Sequence, residues 1–188
     1  MPPLREVVYS LYGAYRLALM DARGMEFLNR SVEGCLRSFW AAGLVVPAYL
    51  LLVLMRLGEE SGNVSFIHFM LVEIIAYIIS WTAYPLIMDD LSRMLDCSDR
   101  YPAFLVAYNW SSPLQMLVYL PAIAISESGV LVPALGDTIA TTATILVLLY
   151  QWFVTQTALQ VSGFTAAGLV ILDLVLSVFI TGAADGML

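Results

Sequence analysis

Four stretches of this chain carry almost no charge, and they limit what it can fold into. Ser38 to Met55, Tyr101 to Ser126 and Thr138 to Leu172 hold no charged side chain, and Ser61 to Met88 holds only Glu73, with His68 nearby. A bilayer core is ~30 Å thick and takes ~20 mostly apolar residues per helix. The last run is too long for one ordinary crossing, and Gln160, Ser162 and Gly163 mark the break within it. The expected fold is an all-α integral membrane protein with five transmembrane helices. They run at about Phe39 to Met55, Ser65 to Met88, Pro102 to Ile125, Thr138 to Ala158 and Phe164 to Ala183. Residues 1–37 form a cytoplasmic amphipathic segment, and 38–188 form the bundle.

Composition supports the membrane reading. Hydrophobic residues make up 61 % and charged residues 12 %, against about 25 % charged in a typical soluble domain. The net charge of −7 leaves no basic patch for phosphates, so nucleic acid is not an expected partner. No Gly-x-Gly, no Gly-x-Ser-x-Gly and no pair of histidines is present, so no enzyme or cofactor is expected. Cys35 and Cys97 have no metal-ligand spacing and are expected as free thiols. Leu4 to Met20 is interrupted by Arg5, Glu6 and Arg16, so it does not read as a cleavable signal.

In that first segment Leu4, Val7, Val8, Leu11, Tyr15, Ala18 and Leu19 recur at helical spacing. Two readings stay open: a helix lying on the membrane surface, or one packed on the protein's own cytoplasmic end. Arg16, Arg23, Arg30 and Arg37 follow at intervals of seven. On a continuous helix they share a face, as candidates for anionic lipid headgroups or as a solvated, self-paired row. Glu26 and Glu33 stand four before Arg30 and Arg37, the favourable order for helix ion pairs.

Arginine placement sets the orientation. Five arginines precede the first span, and Arg93 and Arg100 follow the second, whereas only Arg56 follows the first and none the third. The N-terminus is therefore expected in the cytoplasm and the C-terminus exoplasmic, in a cell inner membrane. The acidic loop Asp89, Asp90, Asp96 and Asp99 lacks the spacing of a calcium loop. Asp90 capping a short helix over Leu91 to Leu95 is the plainer reading.

Two intramembrane carboxylates, Glu73 and Asp173, are the candidate site, because a carboxylate at mid-bilayer is costly. No arginine or lysine lies within a span to pair with them, so they are expected neutral, hydrogen-bonded or wet. Each later span carries one polar stripe: Glu73, Tyr77, Ser80 and Tyr84; Tyr108, Ser112, Gln115 and Tyr119; Thr141, Thr144, Gln151 and Thr155; Ala166, Asp173, Ser177 and Thr181. These stripes either line a polar cavity or proton relay, or form interhelical hydrogen bonds. His68 reads as an interfacial residue rather than a metal ligand. Gly163 and Ala167 form a small-x-x-x-small pair for helix packing.

Five spans behind a cytoplasmic N-terminus, with a very short exoplasmic tail, resemble the topology of the Yip family of vesicle-traffic membrane proteins and its bacterial look-alikes. Ser10-Leu11-Tyr12-Gly13-Ala14 resembles the family's Asp-Leu-Tyr-Gly-Pro, without the flanking Asp and Pro. The resemblance implies a non-enzymatic scaffold that binds other membrane proteins or shapes the membrane. With no catalytic constellation in the chain, the expected function is a non-catalytic scaffold or accessory subunit, its partners the lipid bilayer and other membrane proteins or itself. The alternative is a small proton-coupled transporter or channel using Glu73 and Asp173.

Overall fold

The computed structural model describes residues 1–59, 65–128 and 130–188, and all of its regular structure there is helical. Seven α-helices follow in order: α1 (Leu4–Ala18), α2 (Val32–Ser38), α3 (Trp40–Glu59), α4 (Phe66–Met94), α5 (Tyr101–Glu127), α6 (Pro133–Leu159) and α7 (Gly163–Asp185). Four segments are long and apolar enough to cross a membrane: Val32–Leu57, α4, α6 and α7. Such a chain is compatible with a multi-pass membrane protein. Helix α5 has 27 residues, but Asn109, Ser111, Ser112 and Gln115 dilute its apolarity. Its position explains that composition. It packs against α6, α3, α1 and α2 and buries Phe104, Val106, Asn109 and Trp110 among them, so much of its surface faces protein.

The long helices form a ring. Helix α3 packs on α5, α5 on α6, α6 on α7 and α7 on α4. The ring closes between α4 and α3 through side chains, because Tyr77 donates to the Ala42 carbonyl at 2.7 Å and Tyr49 and Arg56 reach Glu73. At one end, called the near end below, α4 stops, α5 starts, α6 stops and α7 starts. Gln160 breaks α6 from α7 with a left-handed φ of 53°. Ser162 then caps α7 by accepting from the Thr165 N–H at 3.1 Å. Arg100 donates to the Leu159 carbonyl at 3.1 Å, placing a cation at the negative end of α6.

The N-terminal segment covers the near end, and the seven-residue arginine period does not survive there. Met20, at φ 58°, ends α1, and a 3₁₀ turn spans Ala22–Phe27 before α2. The four arginines thus fall on separate elements, with Arg16 on Asp21 and Arg37 between Glu6 and Glu33. Helix α1 doubles back on the turn so closely that Cβ atoms do not fit. One added to Gly24 would collide with the Gly13 carbonyl oxygen.

The buried face of α1 is Ser10, Gly13, Ala14 and Leu17, which sit on the turn, α5 and α6. The larger Leu4, Val8, Tyr15 and Leu19 point away from the protein. Asp90 does not cap a separate helix, since α4 runs unbroken through it to Met94.

Candidate functional site

The polar stripes of four helices converge on the inside of the ring. Two adjoining chambers share Ser80, Tyr108, Gln115, Leu174 and Ser177 as common walls. The smaller holds about 240 Å³ and is bounded by Tyr84, Tyr108, Gln151 and Asp173. The larger holds about 690 Å³ and is bounded by Tyr49 of α3, Tyr77 and Trp81 of α4, Tyr119 of α5, Thr144 of α6, and Thr181 and Asp185 of α7. Asp173 and Asp185 stand ~18 Å apart along α7 at 1.5 Å per residue, so the space runs along much of that helix. Asp185 lies at the end opposite the N-terminal segment, its side chain about half exposed.

Helical periodicity makes this convergence possible. On α4, Tyr77, Ser80 and Tyr84 are three or four apart, and on α5 so are Tyr108, Ser112, Gln115 and Tyr119, so each set shares one face. Gln115 donates from Nε2 to Oε1 of Gln151 at 2.6 Å, joining α5 to α6 at the wall of the small chamber. Among the described residues the Gln151 Nε2 has no partner, although the residue is only 4 % exposed. Thr141 points outward, and Thr155 is buried against neighbours, its hydroxyl unpartnered.

The two intramembrane carboxylates do not share this space. Glu73 is sealed between α3 and α4, its side chain 3 % exposed. The expectation that it has no cation is corrected: Arg56 Nη1 donates to Glu73 Oε1 at 2.9 Å, and the Tyr49 hydroxyl donates to Oε2 at 2.6 Å. The second Arg56 amino group is bonded to Asp185 of α7. The helix α3 continues past Met55, which brings Arg56 within reach. Tyr49 and Arg56 are seven apart on α3 and so lie on one face, which lets both reach Glu73.

Asp173 has a different setting. Its one hydrogen-bond partner among the described residues is the Tyr108 hydroxyl, at 3.2 and 3.3 Å from the two carboxylate oxygens. Among the described residues no arginine pairs with it. A relay linking Glu73 directly to Asp173 is not formed.

The remaining sequence candidates lie elsewhere. His68 Nε2 is 2.9 Å from the Met187 carbonyl oxygen, tying the start of α4 to the end of the chain. Gly163 packs under Trp152, whose Nε1 donates to the Gly163 carbonyl at 2.8 Å. Ala167 lines a groove of about 410 Å³ between α6 and α7, with Trp152 and Ile171. Both cysteines are free; Cys97 is buried, which raises its thiol pKa. Outside the long helices, hydrogen bonds from Arg23 and Arg16 hold the Asp21 carboxyl well below its usual range. Among the described residues no three His, Cys, Asp or Glu side chains are grouped to hold a metal ion.

No family model, no curated protein and no solved structure matches the chain.

Proposed function

We propose that the protein is a non-catalytic, solute-binding membrane protein of the small transporter or channel type. All five long helices cross the inner membrane, and α1 and α2 sit at the cytoplasmic end. The observation that carries this reading is the polar space inside the helix ring. A bundle that only needed stability would close its polar stripes on one another, gaining ~0.6 kcal/mol per interhelical hydrogen bond. Here Ser80, Ser112, Ser177 and Thr181 line open volume instead. The half-exposed Asp185 gives the space a mouth on the exoplasmic side. Asp173, the carboxylate without a cation, is the functional group, and Glu73 with Arg56 is the brace that holds α3, α4 and α7 around it.

Cysteine scanning tests the reading. In a chain with Cys35 and Cys97 replaced by alanine, reconstituted in liposomes, Ser177→Cys and Thr181→Cys should react with a membrane-impermeant thiosulfonate. Val175→Cys, on the outward face of α7, should resist it. Equal protection of all three would mean that the space is dry, and the solute-binding reading would fail.

A second reading, the scaffold or accessory subunit that the Yip-like topology implies, draws on the α6–α7 groove. Its lining is almost wholly apolar and includes Ala167 beside Trp152, a form that suits a helix of another membrane protein or of a second copy.

A further inference from the structure

The small chamber has an electrostatic character that narrows its ligand. It holds one carboxylate, Asp173, and the polar groups around it are all formally neutral: Ser80 and Tyr84 from α4, Tyr108 from α5, Gln151 from α6 and Ser177 from α7. Arg56, at the far end of the same ring, is committed to Glu73 and Asp185. An anion would meet unopposed negative charge there. A hard divalent cation takes six or more oxygen ligands, and one carboxylate among Val147, Leu148, Val170 and Leu174 cannot replace its hydration shell.

Two further features favour an organic cation. The rings of Tyr84 and Tyr108 line the same chamber as the carboxylate, with centroids 5.2 Å apart and planes tilted by 42°. Aromatic faces beside a carboxylate attract an ammonium without needing to strip many waters from it. The larger chamber leading inward carries more such faces, Tyr49, Tyr77, Trp81 and Tyr119. The second feature is the buried Gln151 amide, whose Nε2 has no partner. Exchanging oxygen and nitrogen in both amides of the Gln115–Gln151 pair still leaves an NH₂ with protons to spare. The chamber therefore offers an anion for a cationic head and an amide donor for an acceptor atom.

We propose that the small chamber binds a small organic ammonium compound, its charged head against Asp173 and the Tyr84 and Tyr108 rings, and a hydroxyl or carbonyl oxygen accepting from the Gln115–Gln151 amides. This rests on the solute-binding reading above and names its substrate class.

The test uses the full-length chain in lipid nanodiscs, with calorimetry. Choline is the probe, and 3,3-dimethylbutan-1-ol, which replaces its nitrogen by carbon, is the uncharged control. Choline should bind and the alcohol should not, and Asp173→Asn should weaken choline at least about thirtyfold, as loss of a desolvated charge partner does. Gln151→Met should weaken choline but leave tetramethylammonium, which has no acceptor, unchanged. Retention of the wild-type gel-filtration profile and helical content shows that each variant is folded. Equal binding of choline and the alcohol, or choline binding that survives Asp173→Asn, overturns the ammonium assignment. Absence of choline binding while Ser177→Cys and Thr181→Cys remain wet also overturns it, yet leaves the solute-binding reading standing. Dry positions together with no binding would remove both.

Discussion

Glu73 and Asp173 are the same kind of group, each placed inside a long apolar helix, and the fold treats them in opposite ways. Glu73 is 3 % exposed, bonded at 2.6 Å to Tyr49 and at 2.9 Å to Arg56. Asp173 keeps one long contact to Tyr108 and faces open volume. A buried carboxylate with its cation is a joint, since each partner becomes a liability once the other is lost. A carboxylate left without one, at a cost to the bundle, is a place where something else can supply the charge. The difference lies in what the neighbouring helix brings to the same depth, not in the residue itself.

The contrast is broken most directly at Arg56. Arg56→Ala strands the Glu73 charge and should lower stability by about 3 kcal/mol, read as a fall in the thermal midpoint of the purified chain. Adding Glu73→Gln to it should recover much of the loss, because the buried charge then goes too. An Arg56→Ala variant as stable as wild type would show that the pair is not a joint.

Tyr49→Phe should be next, at about 2 kcal/mol, because its hydrogen bond to a charged acceptor is short. Tyr108→Phe, which removes the equivalent bond to Asp173, should cost only about 0.5 kcal/mol, since those contacts are near the outer limit of hydrogen-bond length. Similar losses for the two tyrosines would erase the distinction between the sites. Asp173→Asn should stay within about 0.5 kcal/mol of wild type. A large loss there would make Asp173 a structural residue.

Asp21 extends the comparison to a carboxylate paired in water. Arg23 and Arg16 lower its pKa in the folded chain. Its contribution is therefore present above the unfolded-state value of about 3.9 and is lost as the pH falls through the folded value. Exposure and salt screening keep it small. Amide exchange in residues 16–24 should loosen only in acid, and less steeply still at high ionic strength.

The sequence was most legible where the physics is local. Tyr108, Ser112, Gln115 and Tyr119 share a face because a helix repeats every 3.6 residues, and the same holds for Asp173, Ser177 and Thr181. Those stripes could be assigned without knowing which helices are neighbours. The Arg56–Glu73 pair was hidden because it depends on how far α3 runs and on which way its far end turns. The period of seven arginines leaves no common face for a related reason. Equal spacing means a common face only on an unbroken helix, and Met20 breaks this one. Helix α1 shows a third limit: Leu4, Val8, Tyr15 and Leu19 stand at helical spacing, yet they point away from the protein. The fold instead buries the small Gly13 and Ala14, which allow the close approach. Burial of small groups leaves little trace in a hydropathy pattern.

One hydrogen bond also bears on how the molecule is made. The Tyr150 hydroxyl donates to the Ala14 carbonyl at 2.8 Å, across 136 residues of sequence. At a synthesis rate of ~5–20 residues per second, the α6 part of the seat for α1 follows α1 from the ribosome by on the order of ten seconds. Helix α1 thus docks in stages, first on the turn that follows it, then on α5, and last on α6. Until α6 arrives, the Ala14 carbonyl has no Tyr150 hydroxyl to accept from.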